Sequence, residues 1–123
     1  MAGLDARFLD LMELTSRQDW DDEGALAISA EQWQEACRIA DDINDILFSI
    51  PNTPECYPSV CGDGDINLRW SNATRSVNVE LGENRMLQWT IRDESGRHRY
   101  GGSAQKLIED IRELFEKDTS WTI

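Results

Sequence analysis

Between Ile66 and Ile91 three stretches alternate apolar with polar residues, and only short connections separate them. Ile66, Leu68 and Trp70 alternate with Asn67 and Arg69; Val77, Val79 and Leu81 alternate with Asn78 and Glu80; Leu87, Trp89 and Ile91 alternate with Gln88, Thr90 and Arg92. A period of two marks strands with one buried face. Connections this short have no room for the crossover that parallel pairing requires, so the strands are expected to be neighbours in an antiparallel meander. His98 and Tyr100, alternating with Arg97 and Arg99 after the Glu94-Ser95-Gly96 turn, extend the series. Gly62-Asp63-Gly64 is a turn signal that implies a short strand before it at Ser59–Cys61, preceded by an irregular segment from Pro51 to Pro58. The expected sheet therefore has four or five strands, and something apolar has to cover one side of it.

Amphipathic helices supply that cover. From Ile28 to Ile50, the residues Trp33, Ala36, Cys37, Ala40, Ile43, Leu47 and Ile50 recur at helical spacing and form one apolar stripe. Ser29 and Gln32 read as a capping box, the serine hydroxyl accepting one orphan N–H and the glutamine reaching back to another. Ile28 and Trp33 stand at the positions of a hydrophobic staple. Pro51 ends the segment, because proline disfavours helical geometry at the residue before it. Leu4 to Thr15 reads as an earlier helix, with Leu4, Phe8, Leu11, Met12 and Thr15 on one side and Leu9 and Leu14 widening it. After Gly101-Gly102-Ser103 a last helix places Ala104, Leu107, Ile108, Ile111, Leu114 and Phe115 in a stripe, and Trp121 follows in the tail. The expected fold is a single α+β domain over residues 1–123, in the order α-α-β(4–5)-α, with two N-terminal helices and one C-terminal helix laid on one face of the sheet. A chain of 123 residues buries about 65–70% of its unfolded surface without needing metals or disulfides.

Charge narrows the function classes. The net charge is −12, and residues 1–60 carry thirteen acids against three bases, whereas residues 61–123 carry eleven acids against nine bases. A field of this sign repels phosphate backbones and anionic lipid, so direct binding to nucleic acid or to a membrane surface is not expected. It suits a basic protein partner, such as the substrate channel of a nucleic-acid enzyme. Acidity that merely keeps the protein soluble is the plainer reading of the same numbers. The candidate partner-binding residues are Asp21, Asp22 and Glu23 in the segment between the first two helices, and Glu35, Asp41, Asp42 and Asp45 on the polar side of the long helix. Arg69, Arg92, Arg97 and Arg99 would share the open side of the sheet with Asn67, Asn78, Gln88 and Thr90, giving a molecule with acidic helices on one side and a polar, arginine-bearing sheet on the other. Such arginines either bind an anionic ligand or balance local acids such as Glu80.

The chemistry-bearing residues are sparse. Asp19, Asp21, Glu23 and Gly24 open like a calcium-binding loop, but its twelfth position is Ala30 rather than glutamate. Asp63, Asp65 and Asn67 have the same spacing, and there the sixth position is Leu68 and the twelfth Thr74. Asp41, Asp42 and Asp45 either join Asp21 or Glu23 around a metal or form a solvated face, which is what such charge runs usually are. One histidine, His98, and three cysteines, Cys37, Cys56 and Cys61, lack zinc spacing. His98 facing inward with Tyr100 reads as a packed core residue; a Cys61–His98 catalytic pair is the alternative. Cys37 falls on the helix stripe as a small hydrophobe, and a Cys56–Cys61 disulfide stays open on sequence alone. The five tryptophans, Trp20, Trp33, Trp70, Trp89 and Trp121, are spread over separate elements, as anchors of a core or interface are. No cofactor is expected, and the expected compartment is the cytoplasm, since Asp5, Arg7 and Asp10 interrupt the first residues and no apolar run approaches a membrane span.

Trp20-Asp21-x-x-Gly24-Ala25, then Ile28-Ser29 and a helix, then Pro58-Ser59-Val60, Asp63-Gly64 and Ile66-Asn67-Leu68-Arg69-Trp70, resembles an uncharacterised family of small bacterial proteins with the pattern W-D-x-x-G-A, I-S, I-x-L-x-W. The likeness covers roughly residues 20–100, although the proline that such proteins carry between Ala25 and Ile28 is absent here. It implies the element order already read and carries no activity. In it Trp20 is expected to plug the space between linker and sheet, with Gly24 supplying a backbone turn. The expected function is a non-enzymatic acidic interaction module, of the inhibitor, antitoxin or immunity-protein kind. The alternatives are an accessory subunit anchored by Trp121 or Phe115 and a small enzyme using Cys61, His98 or the aspartates.

Overall fold

A computed structural model describes residues 6–17, 20, 24, 27–47, 54–71, 75–82, 87–93 and 96–117. The elements are α1 (Ala6–Leu14), α2 (Ala30–Leu47), β1 (Tyr57–Val60), β2 (Ile66–Ser71), β3 (Ser76–Leu81), β4 (Leu87–Asp93), β5 (Gly96–Gly102) and α3 (Ala104–Lys117). The five strands lie in chain order, each antiparallel to the next. This is the α+β meander that the alternation requires, with five strands.

The register shows how one face becomes the core. Pro58, Leu68, Val79, Trp89 and Tyr100 form one row across the sheet, and Trp70, Val77, Ile91 and His98 form the next. Leu68, Val79, Trp89, Trp70, Val77 and Ile91 are buried in the same cluster as Trp33, Ala36, Ile39, Ala40, Ile43 and Leu47 of α2 and Leu107 and Ile111 of α3. Both helix stripes thus lie on one side of the sheet, where each apolar side chain removed from water contributes about 1.5–3 kcal/mol. The opposite rows are polar: Tyr57, Arg69, Asn78, Thr90 and Arg99 in one, and Ser71, Ser76, Arg92 and Arg97 in another.

Polar latches fix the helices over β1–β3. Ser29 caps α2 as expected, its hydroxyl accepting the Gln32 N–H at 3.1 Å. Gln32 departs from the capping box. Its side chain is buried, and its amide donates to the carbonyls of Gly64 at 2.7 Å and Leu81 at 3.1 Å. Two backbone acceptors held in a dry site compete better than a solvent-exposed N–H at the helix start. Gly64 reaches this position with φ +90°, a conformation that costs glycine little. Trp33 donates from Nε1 to the Thr15 hydroxyl at 3.0 Å, and that hydroxyl donates in turn to the Leu11 carbonyl at 2.7 Å. The Phe8 and Trp33 rings meet edge to face, 6.4 Å apart. Trp70 donates to Asn44 Oδ1 at 2.9 Å.

Several sequence expectations are corrected. β1 starts at Tyr57, so it takes in Pro58 and stops before Cys61; an edge strand tolerates proline because one side of its backbone needs no partner. Cys61 instead closes the turn, its N–H donating to the Asp65 carbonyl at 2.9 Å. Leu9 and Leu14 do not widen the core side of α1; they are 54% and 41% exposed. His98 and Tyr100 lie on the core-facing side by register, yet both are exposed, since they stand on the outermost strand, where α3 touches β5 without burying either side chain. His98 is therefore no core histidine. The expected ends of the first two helices at Leu4 and Ile50, the side chains of Leu114 and Phe115, and Trp121 lie outside the described residues.

Candidate functional site

The candidate surface is the solvent side of α2. Its buried stripe faces the sheet, so helical periodicity turns Glu31, Gln34, Arg38 and Asp45 outward, with Glu35, Asp41 and Asp42 at the margins. Arg38 organises the margin. Its guanidinium donates to both Glu35 carboxylate oxygens and lies 3.7 Å from Asp42 Oδ2, an i−3 and i+4 arrangement that bridges one turn in each direction. The hydrogen bond to Glu35 is the main reason the Arg38 guanidinium is held above its ordinary pKa; burial opposes it, and the charges of Glu35 and Asp42 add to it. Glu35 and Asp42 thus arrive as a partly neutralised cluster.

Asp41 is different. It turns toward the protein, with Oδ1 buried and without a hydrogen-bond partner. Burial first, and the Asp41 charge second, push the Cys37 thiol up, so Cys37 is a protonated, unreactive core residue at neutral pH. Asp45 is exposed and forms no ion pair with a described residue. With Asp42, Ile46, Ile108 and Arg112 it lines a shallow groove between α2 and α3.

Of the seven residues expected to meet a partner, the structure therefore places four on α2: Asp45 open to solvent, Glu35 and Asp42 shared with Arg38, and Asp41 turned in. Asp21, Asp22 and Glu23 lie outside the described residues. Glu31, off the apolar stripe by its spacing, is exposed at the first turn and joins this acidic face, although it is not among the residues expected to meet a partner. Sequence reasoning missed the Arg38 clamp, for which the i,i+3 and i,i+4 spacing was the available signal.

The other candidate chemistries separate in space. Cys61 follows β1 and His98 lies in β5, at opposite edges of the five-stranded sheet and so roughly 19 Å apart at about 4.8 Å per strand. That spacing removes the Cys61–His98 pair. Among the described residues no group of three or more His, Cys, Asp or Glu side chains is placed to hold a metal. Asp63 and Asp65 form an Asx turn, the Asp65 N–H donating to Asp63 Oδ1 at 3.2 Å. Asp65 has its pKa raised by burial first, then by the charges of Asp63 and Glu80. Cys37, Cys56 and Cys61 are free thiols, the first two buried and the third exposed. The four sheet arginines share the open face as expected, and Arg99 pairs with Glu80 at 3.5 Å and donates to Gln88. Trp20 is half-buried, and Gly24 has φ +86°, in keeping with a backbone turn there. No described helix is long and apolar enough to cross a membrane. No family model, curated protein or solved structure matches this chain.

Proposed function

We propose that the protein is a non-enzymatic interaction module that docks the solvent side of α2 on a basic protein surface, as an inhibitor, antitoxin or immunity-type protein of a nucleic-acid enzyme would. The observation that carries this reading is the concentration of charge. Residues 1–60 hold thirteen acids against three bases, and α2 directs Glu31 and Asp45 to solvent with Glu35 and Asp42 beside them. Such a surface accelerates encounter with a cationic partner more than it strengthens the final complex. Free thiols on all three cysteines fit the cytoplasm as the setting.

The test is the on-rate for the partner co-purified from the native host, measured against salt. Reversing Glu31 and Asp45 to lysine together is expected to slow association about tenfold at low ionic strength, with the difference shrinking as salt rises. Reversing Asp41 is expected to do little to the on-rate, since its carboxylate faces inward. On-rates that ignore both salt and the Glu31/Asp45 reversal would remove this reading. They would favour an accessory subunit held by apolar contacts, whose expected anchors, Trp121 and the Phe115 side chain, lie outside the described residues.

A further inference from the structure

The two edges of the sheet are built differently. β1 has four residues, includes Pro58, which lacks a donor, and is flanked by α1: the Arg7 guanidinium lies 5.4 Å from the Tyr57 ring centroid and 3.5 Å from Glu55. Short length, proline and a covering element are the usual means of closing an edge to further pairing. β5 has seven residues, no proline, and every one of them is exposed. Its inner edge pairs with β4 from Gly96 to Gly102, and no described element lies along its outer edge. A strand of this length with one unpaired side presents a row of free N–H and C=O groups.

We infer that β5 is a docking edge for an extended segment of a partner protein that alternates acidic and apolar residues. The register dictates that pattern. The row Leu68, Val79, Trp89 ends in Tyr100, 40% exposed, and the row Trp70, Val77, Ile91 ends in His98. A sixth strand continues these rows on the core side, where an apolar residue covers Tyr100. On the other side its residues fall beside Arg97 and Arg99, with Arg92 directly across from Arg97. Arg92 and Arg97 have no ion pair with a described residue, and Arg92 Nε is buried without a hydrogen-bond partner. Two like charges directly opposite each other are unfavourable on their own, and a carboxylate beside them relieves that. Backbone pairing supplies affinity and the alternating side chains supply selectivity.

A second copy of this chain is disfavoured as the occupant in the fully overlapping register. Antiparallel pairing of β5 with itself about His98 sets Arg97 against Arg99, which is repulsive. The net charge of −12 does not forbid an acidic segment at this edge, because charges beyond about 8 Å are largely screened at physiological ionic strength. The inference does not depend on a basic partner at α2, and the two surfaces can be tested separately.

The experiment uses three seven-residue peptides: a Glu-Val repeat, the same residues in block order, and a Lys-Val repeat. Each is titrated to about 1 mM, the range of weak recognition, while backbone amide exchange is read residue by residue. The Glu-Val repeat is expected to bind best and to protect amides between Gly96 and Gly102. Arg97→Glu together with Arg99→Glu is expected to weaken that peptide about tenfold and to favour the Lys-Val repeat instead. Arg97→Glu alone leaves the Arg99–Glu80 contact in place and serves if the double variant melts early. Equal binding of the block-order peptide, protection lying outside residues 96–102, or no protection with any peptide would each overturn the inference.

Discussion

The sheet has a latched end and an open end, and the contrast between them separates what holds the fold from what is available for recognition. Over β1–β3, α2 combines apolar burial with buried hydrogen bonds: Gln32 to Gly64 and Leu81, Trp33 to Thr15, and Trp70 to Asn44. At β4 and β5 the connection is thinner. α3 buries Leu107 and Ile111, Trp89 donates to Asp110 Oδ2 at 3.1 Å, Lys106 stands 3.4 Å from Asp110, and no residue of β5 belongs to the buried core. Local opening free energy follows buried contacts, so fluctuation is expected to concentrate at β5. An edge that recognises a strand benefits from that arrangement, because it presents its backbone without unfolding the core.

The largest test of this contrast is Trp33→Ala against Tyr100→Ala. Trp33 is 1% exposed, packs on Phe8 and bonds Thr15, so its removal leaves a cavity and a buried hydroxyl that has lost its donor. A loss of about 3–5 kcal/mol is expected by urea denaturation. Tyr100 sits on the same face of the sheet at the open end, and its loss is expected to cost under about 1 kcal/mol. Comparable losses from the two would dissolve the distinction between the ends.

Gln32→Ala is next. The substitution leaves the Gly64 and Leu81 carbonyls buried without their donor, at a cost of about 1–3 kcal/mol. Gln32→Glu is expected to be worse than Gln32→Ala, because a carboxylate would face two carbonyl oxygens in a buried site. A tolerated glutamate would mean that water reaches this position and that the latch is not dry.

Gln32 also marks how far the sequence could be read. Period-two alternation needs no tertiary information, so β2, β3 and β4 were legible residue by residue, and the stripe of α2 likewise. The role of Gln32 was not, because capping-box spacing and a core latch place the same residue at the same helical position, and only the approach of the β1–β2 turn decides between them. His98 and Tyr100 alternate as well as Val77 and Val79 do, but alternation reports which side of a sheet a residue takes, not whether a helix lies over it. On sequence alone Pro58 belongs to an irregular segment, because its tolerance in a strand depends on β1 being an edge, a property of the finished sheet. At the candidate site, the outward position of Asp45 follows from helical phase alone. The inward turn of Asp41, one residue past the stripe member Ala40, depends on side-chain torsions that phase does not specify.

The smallest effect sharpens the comparison from inside the latched end. Asp65 stands in the β1–β2 turn next to Gly64, with its pKa raised by burial and by the charges of Asp63 and Glu80. A raised carboxylate pKa means that the folded state holds the proton more tightly than the unfolded chain does. The ionised form therefore opposes folding: the penalty is absent below the unfolded pKa, grows as pH rises through the interval between the two values, and is fully present above the folded one. Asp65→Asn keeps the backbone bond from Cys61 and the Asx turn, and removes only the charge. It is expected to raise Tm modestly at pH 7, with the gain over the parent protein fading as pH falls below the ordinary carboxylate range. Removing a charge at the open end, as in Arg97→Gln, is expected to leave Tm within the scatter of surface substitutions at both pH values. An Asp65→Asn gain that persists undiminished at pH 3 would place its origin in turn geometry rather than in the crowding of three carboxylates, and the latched end would then be limited by backbone strain instead of charge.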